Sequence, residues 1–272
     1  MAMDYKDAFD QFVRYLRVET RPLSIKFIQR SSEIPQGVQR PSTFNVRMAP
    51  CQVNTIARKW NMAMAVTPEE VCCAAALLAF GWGDLGELDR REELAAFVVS
   101  AGYVKDLEKA KPTLATMPYF AGKKNFPSKG LVVAPIDSGI IADPDVILIY
   151  GNPAQINRLV QSMLYSEGGV IESRASLGAS CVFEMIEPLV SGEPVYVIPG
   201  RGERQVGLAQ DHEMVFALPA SKLPALLEGM RETDEKGAKY PIQPFLFFEP
   251  TLNESVSNLL KKIKLPEGCL TG

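Results

Sequence analysis

The sequence predicts a mixed α/β (α+β) domain in which helices flank a central sheet, and three observations carry that prediction. The stretches Gly130 to Pro135 and Val146 to Tyr150 are apolar along their length, as strands covered on both faces are. Other stretches, among them Phe9, Phe12, Val13 and Leu16, repeat apolar residues at the spacing that shares one helix face. Between the second apolar run and a helical pattern sits Gly151-Asn152-Pro153-Ala154-Gln155, a strand-to-helix turn with Asn as N-cap and Pro at the first helical position.

At 272 residues, with 47% hydrophobic and 22% charged residues, the chain suits one large ordered domain. A more helical lobe over 1–127 and an α/β lobe over 128–272, with a cleft between them, is the alternative division. A net charge of −3 and a pI near 5.5 give no basic footprint for nucleic acid or an anionic membrane. The opening residues MAMDYKDAFDQF lack the apolar centre of a signal peptide, and no apolar run approaches the ~18 residues that span a bilayer. The expectation is a soluble cytoplasmic protein. Five thinly spread cysteines form no disulfide framework, and with His212 the single imidazole, a metal site must use thiolates or carboxylates.

Taken in order, the first helix ends at Pro22, and Leu23 to Phe27 alternates as a strand buried on one side, with Ser24 and Lys26 pointing the other way. Arg30 to Ser42, with Pro35, Gly37 and Pro41, reads as a loop. Pro50 opens a helix carrying Cys51, and a short strand follows over Met62 to Val66. Thr67, Pro68 and Glu70 form a capping box, which predicts a helix with Cys72 in its first two turns. Glycines at 81, 83 and 86 break it, Asp89 caps a helix ending before Gly102, and Pro112 kinks or splits a helix over Asp106 to Met117. The helix after Gln155 closes at Gly168-Gly169, and an apolar segment follows around Cys181. Val195 to Ile198 and Glu213 to Leu218 read as strands, with a helix from about Ser221 to Met230, a polar stretch over Arg231 to Lys239, and a terminal amphipathic helix through Leu259, Leu260 and Ile263.

Two candidate sites stand out. Cys51 and Cys72 each fall near a predicted helix N-terminus, where the dipole favours a thiolate, although Glu69 and Glu70 oppose that at Cys72. The second site pairs the free N–H groups of the GNPAQ turn, with Asn152 and Gln155, against Arg201 and Arg204 of Pro199-Gly200-Arg201-Gly202-Glu203-Arg204. Guanidinium forks suit a carboxylate or phosphate, and Lys26 adds a cation that faces either solvent or the site. The same residues also serve plain roles, as a helix cap and a solvated hairpin tip. His212, beside Asp211 and Glu213, has nothing to position it as a catalytic base.

The elements Pro22-Leu23-Ser24-Ile25-Lys26-Phe27, Cys51-Gln52, Cys72, Asp143-Pro144-Asp145 before GNPAQ, Cys181 and PGRGER together resemble domain-of-unknown-function family 169. That group consists mostly of archaeal and anaerobic bacterial proteins, and the resemblance covers roughly Pro22 to Met230. It implies that Cys51, Cys72 and Cys181 stand at recurring cysteine positions, whereas Cys73 and Cys269 do not. Members often carry a Cys-Pro-Gly-Gly turn where this chain has Cys72-Cys73-Ala74-Ala75, so the resemblance leaves the geometry at Cys72 unspecified.

The sharpest expectation is a redox protein in which Cys51, Cys72 and Cys181 meet at a thiolate-ligated metal centre, most naturally an iron–sulfur cluster. Against it stands the reading of all three as buried small hydrophobes, since no CxxC spacing marks a cluster. The alternative function is a metal-free enzyme or sensor that binds a small anionic ligand between GNPAQ and PGRGER. A redox partner protein belongs with the first reading, and a homo-oligomer is compatible with both.

Overall fold

The computed structural model describes residues 3–83, 90–115, 128–173, 175, 178–242 and 252–264. Residues 3–241 form one unit and the stretch from Ile242 belongs to a second, smaller one. In the first unit, six strands make a single sheet: β1 (Leu23–Ile28), β2 (Met64–Val66), β3 (Gly130–Pro135), β4 (Val146–Gly151), β5 (Val195–Val197) and β6 (Met214–Pro219). Their order is β2-β3-β1-β4-β6-β5, and every pairing is antiparallel. The fold is therefore α+β, with β3, β1, β4 and β6 inside the sheet. Strands from both sides of residue 127 interleave, because β3 pairs with both β1 and β2.

Helices cover both faces, which is why the central strands read as unbroken apolar runs. One face carries Leu23, Ile25, Val133, Leu148, Tyr150, Val215 and Ala217, packed against α2 (Pro50–Trp60), α3 (Ala74–Ala79) and α7 (Ser180–Ser191). The opposite face carries Ile147, Ile149, Phe216 and Leu218 against α1 (Tyr5–Leu16), α6 (Pro153–Met163) and α9 (Leu223–Glu235). Two further helices, α4 (Arg90–Ser100) and α5 (Leu107–Ala115), pack on each other and on Leu78 through Leu94, Ala95, Val98, Ala110 and Leu114. A five-residue helix, α8 (Arg201–Gln205), follows β5. In the second unit α10 (Glu254–Leu260) is capped by the Asn253 side chain. None of the described helices is long and apolar enough to cross a membrane.

Several local expectations change. The strand at Leu23–Ile28 is buried on both faces except at half-buried Lys26: Leu23, Ile25 and Phe27 belong to one apolar cluster and Ile28 to another, and Ser24 is 1% exposed. The inward face of α1 is Ala8, Phe12 and Leu16, while Val13 faces outward; the helix ends at Arg17, in the left-handed conformation, before Pro22 is reached. The capping box at Thr67 caps only the turn Pro68–Glu70. Backbone bonds explain the stop: Met48 N–H donates to Glu70 O and Cys72 N–H to Met48 O, so the chain is held extended and α3 begins later, at Ala74. The α5 helix continues through Pro112, α8 occupies the supposed hairpin tip, and α9 runs on to Glu235. Gly86, Asp89, Met117, Arg174, Phe245 to Phe248 and Cys269 lie outside the described residues.

Candidate functional site

Cys51 and Cys181 hold equivalent places in two helices. Pro50 is the first residue of α2 and Ser180 the first of α7, so each cysteine is the second helical residue. Both helices begin at one cavity, where the Cys51 and Cys181 side chains lie close enough to interact. The backbone at Gly207 presses on this corner: a Cβ there would lie 2.6 Å from Cys51 Cβ. Thr55 donates its hydroxyl to Gly207 O, which fixes that approach.

A cavity of about 410 Å³ opens at this junction. Its walls include Cys51 and Ala49 from the start of α2, Cys72 to Ala76, Gly178 to Val182, and Gly202 and Glu203 of α8. Leu94, Phe97, Val98, Tyr103 and Leu114 from the α4–α5 region supply an apolar wall. Thus Cys51, Cys72 and Cys181 do line one space, and Cys73 joins them. Cys72 is exposed, Cys73 partly buried, and Cys51 and Cys181 buried.

The electrostatics there are mixed. The first turns of α2 and α7 present the positive ends of their dipoles, which favour negative charge. Its interaction with Cys51, followed by burial and the nearby Glu203 and Glu184 carboxyls, instead holds the Cys181 thiol well above its ordinary value. Burial likewise raises Cys73. Both shifts favour the neutral thiol at these two positions. As arranged, no three His, Cys, Asp or Glu side chains among the described residues are spaced to hold a metal ion.

Behind the cysteines lies a polar network that the sequence reading missed. Tyr150 Oη sits 3.0 Å from Glu184 Oε1 and 2.8 Å from Glu203 Oε1. Ser180 Oγ accepts from Gly200 N–H and donates to Glu203 Oε2, at 2.8 Å in each case. Asn54 Nδ2 is 3.3 Å from Glu184 Oε1, and the Arg58 guanidinium lies 3.9 Å over the Tyr150 ring while pairing with Glu213. The legible signal was the spacing of Cys181 and Glu184, one helical turn apart in an otherwise apolar segment.

Each residue of the expected anion site has partners of its own. Asn152 and Gln155 form a reciprocal capping box on α6; Asn152 also donates to Tyr240 Oη, and Gln155 to the Leu16 and Arg17 carbonyls. Arg204 donates to the Pro199, Gln210 and Glu213 carbonyls, and Arg201 to Ala101 O. Lys26 pairs with Asp143 and Asp145. None of these five side chains lines the cavity. His212 is exposed near Glu19, also away from the cavity.

Fold and site together define an antiparallel α+β protein with a cysteine-lined cavity at the junction of helix N-termini. The chain belongs to domain-of-unknown-function family 169, described as uncharacterised ArCR, which it matches over residues 11–229. It is similar to the uncharacterized protein MJ0308 of Methanocaldococcus jannaschii, at 25% identity over 209 residues that cover 76% of this chain and 85% of that protein. No solved structure matches the chain.

Proposed function

We propose that the protein is a cofactor-binding redox protein whose cavity is the binding site, with Cys51, Cys72 and Cys181 as its working sulfur groups. The observation that supports this reading is convergence: thiols from three segments remote in sequence line one cavity. An iron–sulfur cluster is the cofactor that such soft donors suit, with these three cysteines as protein ligands, and it would supply electron transfer. Among the described residues no three-ligand group is preformed, so ligation requires the cysteine side chains to rearrange around the cluster. The chain's own part is to present thiols that lose their protons on ligation and to wall off water with the apolar α4–α5 side.

A second reading has an observation of its own. The paired N-termini of α2 and α7 favour a small anionic ligand in the same cavity, without metal. It replaces the site between GNPAQ and PGRGER, whose side chains are committed elsewhere.

Anaerobic purification followed by visible absorption and iron and sulfide analysis tests the proposal, alongside Cys51→Ser and Cys181→Ser. Bound iron and sulfide in the parent protein, lost in both folded variants, is the expected result. A colourless, iron-free protein contradicts the metal form and leaves the anion reading. Destabilised variants that lose no bound species would mean that the cysteines serve packing alone.

A further inference from the structure

One hydroxyl lies between two buried carboxyl groups. Tyr150 Oη contacts Glu184 Oε1 at 3.0 Å and Glu203 Oε1 at 2.8 Å, yet a phenol has a single proton to donate. Two oxygen-to-oxygen contacts of this length require two protons, so one glutamate must itself be a carboxylic acid. Burial raises Glu203 as well, but less than Glu184: its Oε2 accepts from the Ser180 hydroxyl and Arg58 and Arg204 are near, so it is the better carboxylate of the two. Glu184 is the better acid: it is 0% exposed, and its Oε2 has no hydrogen-bond partner. Burial, and then the neighbouring Glu203, hold Glu184 well above the usual carboxylate range.

We propose that Glu184, Tyr150 and Glu203 form a proton relay ending at the cavity, with Glu203 as the acid–base group for the molecule bound there. The inference rests on the cavity being the working site. The transfer balances without electrons: the proton on Glu184 Oε1 passes to Tyr150 Oη as the Tyr150 proton passes to Glu203 Oε1. Glu184 becomes the carboxylate and Glu203 the acid, in the cavity wall. Asn54 Nδ2 and the Arg58 guanidinium are placed to stabilise the charge left behind. The other ionisable groups around the pair are Cys51 on α2, Cys181 on α7, Arg204 on α8 and, beyond Arg58, Glu213. The ligand class that fits is a small molecule whose reacting atom gains or loses one proton.

Infrared spectroscopy near neutral pH tests the shared proton. The expected spectrum has a carboxylic-acid carbonyl band that shifts down in D2O, vanishes in Glu184→Gln and survives in Glu203→Gln. If Glu184→Gln does not fold, the parent protein suffices, since the lack of any such band at neutral pH overturns the proposal. The link to the cavity is read from the rate at which that band shifts after transfer into D2O, since the relay is the path by which the buried Glu184 proton exchanges. Slower exchange in Tyr150→Phe supports the relay, and an unchanged rate overturns it. Neither measurement needs a cofactor, so an iron-free protein leaves this inference standing.

Discussion

Arg58 shows how one side chain ties the site to the core. Its side chain is wholly buried, and it forms a two-pronged pair with Glu213 at 2.5 and 2.8 Å while covering the Tyr150 ring. Arg58→Ala leaves the Glu213 carboxylate buried without its partner, and denaturant unfolding should show a loss of roughly 3–5 kcal/mol. Two of the buried glutamates, Glu213 and Glu184, have opposite pH signatures. Against the upward push of burial, the Arg58 hydrogen bonds bring Glu213 below its ordinary value. Its contribution is present above the ordinary carboxylate range and disappears as pH falls through the depressed value. Glu184 is shifted upward, so its contribution is full below the ordinary range and is lost as pH rises through the raised value. Urea unfolding across pH should therefore show, in Glu184→Gln, a smaller decline than in the parent chain as pH rises from the ordinary carboxylate range. Beyond the spacing of Cys181 and Glu184, little of this was legible in the sequence, where an isolated Glu or Arg reads as a solvated residue; only the sheet behind α2 and α7 makes these positions interior.

Among the described glycines, Gly229 makes the tightest contact, where α9 meets α6. A Cβ on Gly229 would lie 1.9 Å from Ser162 O, and Arg158 clamps the pair through Ser162, Thr233 and the Met230 carbonyl. Gly229→Ala must push the helices apart, and thermal unfolding should register a loss of at least about 1–3 kcal/mol. The start of α6 was readable because Asn152, Pro153 and Gln155 satisfy the backbone locally. The start of α3 was misread for the complementary reason. Its capping box is real, but Glu70 is also engaged by Arg40 and by the Ser42 N–H, and the chain beyond it bonds to Met48. Tertiary hydrogen bonds outweighed a strong local signal, which moved Cys72 out of the helix and onto the cavity rim.

Across the whole molecule, the core strands were legible from their apolar runs, but their antiparallel order was not, since periodicity reports burial and not partners. The meeting of the cysteines was legible only as a possibility of the fold; it arises because α2 and α7 cover the same sheet face and begin at the same end. Burial orders the reactivity that follows. Alkylation of the native protein, mapped by mass spectrometry, should modify exposed Cys72 first, Cys73 more slowly, and Cys51 and Cys181 last. The central claim is that the last two, 130 residues apart in sequence, share one end of the cavity. Dibromobimane, which bridges thiols only a few ångströms apart, measures this directly. The folded protein should yield a cross-linked peptide joining Cys51 to Cys181 and the urea-unfolded protein none; single-site labelling of both cysteines in the folded protein, with no bridge between them, would rule out the shared corner.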